Sequence, residues 1–307
     1  MVIYDNLDFE LSELCAVSIG KFDGLHKGHR IIMDELMKQK KNGFQTAVFT
    51  FEPGPEQYFC SLQEEGNLIS ESEKEAILSK LGVDYLIRIP FDEKIAYMSA
   101  TDFLKEILLK KMKAKVVVAG TDVTFGYKRE GNRDFLEKMR QHFDYELIIC
   151  EKIIYENAEI SSSRIRECLK QGQMDKANEM LGNPFHMKGI VEKGRRLGHT
   201  LGFPTVNISV PRDLFLLPFG VYYTKVTVEG TSYFAMTNIG VRPTVSESGR
   251  ISVESYLLDF NKDLYGKPIY VEFLSFARSE IKFTSKNELI SQLKSDVENT
   301  KEYFGIL

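Results

Sequence analysis

Cys15-Ala-Val-Ser-Ile19 is a run of small and branched apolar residues that stops at Gly20, and Gly20-Lys21-Phe22-Asp23-Gly24-Leu25-His26-Lys27-Gly28-His29 follows it. From about Gly28 to Lys40 the apolar positions Ile31, Ile32 and Leu36, with Met33, recur at helical spacing. The segment therefore reads as strand, glycine-rich turn, helix. Gly20, Gly24 and Gly28 let the backbone come close to a ligand. The helix start offers unpaired N–H groups and the positive end of its dipole, a combination that favours phosphate. His26 and His29 can add hydrogen bonds to phosphate oxygens. A metal pair or two satisfied surface histidines would also produce H-x-x-H, but a glycine-rich strand-to-helix turn favours the anion site. No G-x-x-x-x-G-K-[ST] occurs, so this is not a P-loop.

Outward from this turn, apolar runs alternate with helical patterns. Strands are predicted at Thr46–Phe51, Val83–Ile89, Val116–Ala119 and Glu146–Cys150, and helices at Glu73–Leu81, Thr101–Met112, Asn132–His142, Ser162–Lys170 and Met174–Leu181. Ser72 and Glu75 look like the capping box of the first of these helices. Such alternation predicts βαβ units and a parallel, Rossmann-like sheet, with ligands beyond the carboxyl ends of its strands. Strands that are apolar throughout imply that both faces are covered.

Past Gly182-Asn183-Pro184 the helical period disappears. Met187–Glu192, Thr205–Ile208, Val221–Val228, Ser232–Asn238, Ser252–Phe260 and Ile269–Phe276 read as strands, with Glu229-Gly230 as a hairpin turn. Six short strands in so little chain predict an antiparallel β-barrel. A final helix, Lys286–Tyr303, opens with the capping box Ser285/Glu288 and is predicted to bury Leu289, Leu293 and Val297. The expected domains are residues 1–182, α/β, and residues 183–307, a barrel with a C-terminal helix.

Of 307 residues, 43% are hydrophobic and 27% charged, which excludes disordered and collagen-like architectures. No run approaches the roughly 18 apolar residues of a membrane span, and the acidic start MVIYDNLDFELSEL has no basic, apolar leader. A cytoplasmic protein without a membrane partner is expected. Forty Lys and Arg against 44 Asp and Glu give −4, which argues against a nucleic-acid partner. Cys15, Cys60, Cys150 and Cys168 form no C-x-x-C pair and read as reduced thiols.

Ile160-Ser161-Ser162-Ser163-Arg164-Ile165-Arg166 opens the helix after the last strand of the first half. Hydroxyls at a helix start followed by two arginines make a second anion cradle. Taken alone, a serine cap with solvated arginines is the better explanation. Paired with the histidine turn, they suit a nucleoside triphosphate.

Together, G-x-F-D-G-x-H-x-G-H and S-S-S-x-I-R resemble the nucleotidyltransferase superfamily, and specifically the bacterial bifunctional riboflavin kinase/FAD synthetase family. Thr50-Phe51-Glu52-Pro53, Gly82-Val83-Asp84-Tyr85-Leu86, Pro90-Phe91-Asp92 and Gly120-Thr121-Asp122-Val123-Thr124-Phe125-Gly126 extend the resemblance. In the second half, Gly194 through Asn207, Asn238 through Thr244, Val253-Glu254-Ser255-Tyr256-Leu257 and Phe273 through Arg278 continue it in the family's order.

This resemblance implies ATP as co-substrate, Mg²⁺ as cofactor, and riboflavin and FMN as substrates. It implies an FMN adenylyltransferase in the first domain and a riboflavin kinase in the second. His26 and His29 would act on the phosphates in catalysis. Gly20, Phe22, Asp23, Gly24, Gly28, Ser162, Ser163, Arg164 and Arg166 would bind nucleotide, as would Gly194, Gly198 and Gly202 in the kinase. Asp122, Phe125 and Arg278 would contact flavin. Thr205 and Asn207 would bind the metal, and Glu254 would be the kinase's general base, although a strand glutamate is more often solvated. The family commonly has His where Gly54 stands and an aromatic where Val123 stands. Two alternatives stay open: a kinase with weak FAD synthesis, and a flavin carrier without turnover.

Overall fold

The computed structural model describes residues 1–54, 65–192, 201–211, 213–242 and 250–306. Gly194, Gly198 and Cys60 lie outside the described residues. Contacts divide the chain into two compact units, residues 1–65 with 69–161 and residues 66–68 with 162–307.

The first unit is built on six parallel strands: β1 (Val2–Tyr4), β2 (Cys15–Ile19), β3 (Gln45–Phe51), β4 (Tyr85–Ile89), β5 (Ala114–Gly120) and β6 (Glu146–Cys150). Their order is β1-β4-β3-β2-β5-β6, so the chain reverses its direction of winding between β2 and β5. Helices α1 (Lys27–Lys41), α2 (Glu71–Leu81), α3 (Glu93–Ala96) and α4 (Ala100–Asp102), which continues as a π-helical stretch Phe103–Lys111, join the strands with α5 (Arg133–Met139). Each sheet face carries its own apolar cluster. One holds Val17, Phe49, Phe103 and Leu108; the other holds Val48, Met33, Leu36 and Leu78. Burial on both faces explains the uninterrupted apolar strands.

Some details differ from the sequence reading. β1 was not predicted; it is three residues long and at the sheet edge, so it carries little pattern. The cap of α2 is Ser70, whose side chain accepts the Glu73 N–H, two residues before the expected box. Both serines fit S-x-x-E, and the helix takes the earlier one. A short hairpin of β7 (Ile154–Tyr155) and β8 (Ala158–Glu159) was also missed. The described cysteines Cys15, Cys150 and Cys168 are buried free thiols.

In the second unit, antiparallel strands β9 (Phe185–Ile190), β10 (Val206–Ser209), β11 (Gly220–Val228), β12 (Thr231–Arg242), β13 (Arg250–Leu257) and β14 (Pro268–Ser279) run in the order β10-β13-β12-β11-β14-β9. An isolated bridge between Glu192 and Asn207 nearly closes the barrel. Glu229 and Gly230 both have positive φ, 49° and 79°, which is the primed hairpin turn. Inside, the hydroxyls of Thr224, Thr237 and Ser255 form a chain of 2.6 and 2.8 Å contacts across three strands. Helices α6 (Ser162–Lys170) and α7 (Met174–Leu181) belong to this unit by contact. Asn178 explains why: its amide donates to Phe273 O and its oxygen accepts the Phe185 N–H. The division by contact thus falls at Ser161/Ser162, ahead of the expected 182/183 seam.

The last helix, α8 (Lys286–Tyr303), starts at Ser285 and Glu288 as predicted. Its expected stripe of Leu289, Leu293 and Val297 is only half-buried. The deepest positions on the same face are Asp296 and Thr300. Aromatic stacking of Tyr303 on Tyr223 and of Phe304 on Phe234 holds the helix end against the outside of the barrel.

Candidate functional sites

In the first unit the histidine turn follows β2 and the Gly120–Asp122 turn follows β5. They occupy the carboxyl ends of the two strands where winding reverses, which is where open α/β sheets bind ligands. The chain folds tightly here. Phe22, Gly24 and Leu25 all have positive φ (50°, 77° and 38°), and Asp23 is buried in the short turn between them. A Cβ on Gly20 would come 3.0 Å from the Phe22 ring, and one on Gly28 would come 3.2 Å from the His26 ring. The glycines are therefore packing requirements as well as openings.

His26 caps α1: its Nδ1 accepts the His29 backbone N–H at 3.3 Å. Burial lowers its pKa to about 4 against the opposing pull of Asp23 and Asp122. The neutral ring thus carries its proton on Nε2, a donor at a helix N-terminus. The His29 ring stacks on that of His26, with centroids 3.7 Å apart and planes inclined by 15°. Burial, then the charges of His26 and Lys74, hold His29 well below its ordinary pKa. Asp122 is paired with Lys152 at 3.1 Å, and Lys152 also reaches Glu159 at 2.7 Å.

Behind the histidines lies a polar group that sequence reasoning missed. Lys74, 2% exposed, pairs with Glu71 at 2.6 Å. Glu52, just past β3, is pushed up to about pKa 7 by burial and by Glu71, with Lys74 and Lys21 opposing. Lys152 was also missed, although its place two residues past β6, on the same sheet edge, was a usable signal.

Other predicted residues have different surroundings. Phe125 is a core residue packed on Phe103 and Phe135; a flavin contact would require that packing to open. Val123 is buried in the same cluster. Gly54 is buried, and a Cβ there would find only Phe51 O, at 3.8 Å. In the second unit, Ser162 and Arg164 are half-buried and Ser163 is exposed. The Arg166 guanidinium donates twice to Gly66 O, at 2.9 and 3.1 Å.

The barrel's register assembles the other candidate site. Asn207 lies opposite Glu254, Glu254 opposite Asn238, Asn238 opposite Val221, and Val221 opposite Arg278. Residues directly opposite share a sheet face. Val253, Ser255 and Leu257 point inward, so this row runs across the outside of the barrel. Three predicted residues, Asn207, Glu254 and Arg278, thus stand at one level, and Asn238 is an unpredicted fourth. Arg278 is gripped by Asp296 of α8 through two bonds of 2.9 and 2.5 Å. A cavity of about 160 Å³ beside this pair is lined by Val221, Tyr223, Arg278, Gln292 and Asp296. A larger one, about 410 Å³, is lined by Pro204, Thr205, Leu257, Phe260 and Tyr265. Gly202 has φ +86° and open space around it, and Phe203 packs edge-on against Tyr256. A Cβ on Gly240 would collide with the Glu280 carboxylate, so that carboxylate reaches the Asn238 strand.

Fold and geometry together define a two-unit chain: an α/β unit with a glycine-histidine turn at its switch point, and an antiparallel barrel with a carboxylate and an amide in register across its strands. The family model for FAD synthetase matches residues 8–164, and that for riboflavin kinase matches residues 181–304. A bifunctional riboflavin kinase/FMN adenylyltransferase of Escherichia coli K12 is 34% identical over 98% of this chain and 96% of its own length. That of Listeria monocytogenes is 33% identical over 95% and 93%. A Streptococcus pneumoniae crystal structure described as a macrolide-efflux protein has TM-score 0.85 and 31% identity, covering 98% of both chains. The chain belongs to the bifunctional riboflavin kinase/FMN adenylyltransferase family. Both family models and the bacterial relatives agree on flavin chemistry, not on efflux. Among the described residues no helix is long and apolar enough to cross a membrane.

Proposed function

We propose that this chain makes FMN and then FAD. Riboflavin and ATP give FMN and ADP in the barrel; FMN and a second ATP give FAD and pyrophosphate in the α/β unit. Family membership supports the pair of activities. The observation that carries the kinase chemistry is the register pairing of Glu254 with Asn207.

In the kinase step, Glu254 accepts the proton of the terminal ribityl hydroxyl as that oxygen attacks the γ-phosphorus and ADP leaves. The Thr205 hydroxyl and the Asn207 amide oxygen are the donors we assign to Mg²⁺. They fit a hard cation that takes few protein ligands and shares the nucleotide's phosphates. When bound, the ion neutralises charge on the transferring phosphoryl group. The larger cavity beside Thr205 is assigned to the nucleotide, with Gly194, Gly198 and Gly202. The outer row near Arg278 is assigned to flavin.

In the adenylyl step, an FMN phosphate oxygen attacks the α-phosphorus and the bond to pyrophosphate breaks. No protein nucleophile is needed; positioning and charge neutralisation suffice. His26 Nε2–H and His29 donate to the phosphates, the turn from Gly20 to Gly28 carries the nucleotide, and Ser162, Ser163, Arg164 and Arg166 hold the β- and γ-phosphates. Asp122 is assigned to the flavin side. We place the adenylyl function in residues 1–182 and the kinase in 183–307, and the protein in the cytoplasm, where ATP is supplied.

The test is one incubation with riboflavin, ATP and Mg²⁺, with flavins resolved chromatographically over time. FMN followed by FAD is expected. FMN alone would support a kinase whose FAD synthesis is weakened, a reading favoured by the missing side chain at Gly54. Unchanged riboflavin in the protein peak would sink the enzyme reading.

A further inference from the structure

Lys74 is out of place as a structural residue. It sits in the first turns of α2, where the helix dipole disfavours a cation. It is almost wholly buried, and its ion pair with Glu71 joins neighbours three apart on the same helix. Such a pair rarely repays its desolvation, and an apolar side chain of the same volume would be as stable or more so. A buried cation retained at the edge of a ligand site points to function.

The ammonium's field reaches His29, whose Nδ1 is buried without a hydrogen-bond partner. We propose that Lys74, clamped by Glu71, is a positioning residue for adenylyl transfer that acts through His29, supplying a fixed positive charge behind the histidine pair. The inference rests on the α/β unit being the adenylyltransferase. In that reaction the bond from the α-phosphorus to the bridging oxygen breaks and its electrons leave with pyrophosphate. A charge already fixed in a dry, low-dielectric layer stabilises that departure without reorganising. Burial first, then the charges of His26 and Lys74, keep the imidazole of His29 uncharged, so it serves as a donor. Because leaving-group charge develops during the reaction, the effect falls on kcat more than on the KM for ATP.

The experiment compares the full-length chain with Lys74→Met, Lys74→Arg and Glu71→Gln. FAD formation from supplied FMN, FMN formation from riboflavin, and the titration of the His29 ring by NMR are measured on each. Lys74→Met is expected to lose at least tenfold in kcat for FAD formation, with KM for ATP changed less than threefold and riboflavin phosphorylation retained. Its His29 titration midpoint rises, while burial still holds it below the ordinary value. Lys74→Arg recovers most of the rate, and Glu71→Gln gives an intermediate loss. Lys74→Met with FAD formation near wild type, or an unmoved His29 titration, overturns the proposal. If Lys74→Met does not fold, an undiminished rate in Lys74→Gln does so. A wild-type chain that makes no FAD from FMN refutes the adenylyltransferase reading itself, which is a separate result.

Discussion

Asn207 and Glu254 face each other across the β10–β13 ladder, and Asn238 flanks Glu254 from the other side. Register fixes the backbone of Glu254 between these two strands, and the Ser252 hydroxyl donates to its Oε1 at 3.4 Å. Glu254→Gln keeps the shape and removes the base. It is expected to abolish FMN formation, by about 10²–10⁴-fold, while FAD formation from supplied FMN continues. His29→Ala should do the reverse. Chromatographic assays of both steps on both variants check the division; equal damage to both steps in a folded variant contradicts it.

The pH dependence of the α/β unit should come from Glu52, not from the histidines. His26, at about pKa 4, and His29, lower than its ordinary value, are uncharged at neutral pH. Glu52, at about 7, is neutral below that pH and ionised above it. Its charge faces Glu71, Lys74 and Lys21, so ionisation cancels part of the positive field. FAD formation is expected to fall as pH rises through about 7, and Glu52→Gln should flatten that limb in a rate profile.

The histidine turn has its own signature in stability. The folded pKa of His26 is depressed, so the unfolded chain takes up the proton first as pH falls. Stability is fully present above about 6.5 and is lost toward 4, by on the order of 1 kcal/mol per pH unit at most. His26→Asn keeps an N-cap acceptor and removes the titration. Its Tm should vary less between pH 6.5 and 4.5 than that of the wild type.

Much of this was legible because the residues concerned are constrained locally. Glu146–Cys150, Ser162–Lys170, Met174–Leu181 and Lys286–Tyr303 are found where caps, glycines and apolar spacing put them. The glycine-histidine turn was readable because few other structures need that composition. Lys74 was not, since a lysine four residues into a helix reads as solvated until tertiary packing covers it. Asn238 was invisible for another reason. Nothing along the chain reveals that it stands beside Glu254; only strand register does. The apolar stripe expected on α8 misled because the Arg278–Asp296 pair, not leucine, fills the deepest part of that contact.

Gly54 offers a gain-of-function test. Its φ is not in the positive region, and a Cβ would meet nothing closer than 3.8 Å. Gly54→His therefore has room for its Cβ, and it is expected to place an imidazole where the family commonly has one. One additional hydrogen bond of about 0.5–1.5 kcal/mol corresponds to about a two- to tenfold gain in kcat/KM for FAD formation. Kinase activity should not change. Loss of FAD formation in the folded variant would show that Gly54 is required as glycine.

The Arg278–Asp296 pair ties the last helix to the side of the barrel proposed for flavin. Asp296 is 5% exposed and also accepts from Gln292 at 2.8 Å, so both its oxygens are satisfied. Asp296→Ala strands the guanidinium and should cost about 3–5 kcal/mol, the range for breaking a buried pair. The double variant Arg278→Met/Asp296→Leu removes both charges and should recover much of that stability, because the desolvation cost disappears with the pair. Flavin binding should separate the two effects. If Arg278 serves only to dock α8, the stable double variant binds riboflavin as the wild type does. If the guanidinium, once aligned by Asp296, also faces the flavin, KM for riboflavin rises in the double variant despite restored stability. The second outcome is expected, since Arg278 stands in the cross-strand row that contains Glu254 and lines the cavity beneath the helix. Denaturant unfolding and kinase kinetics on the three chains decide between them.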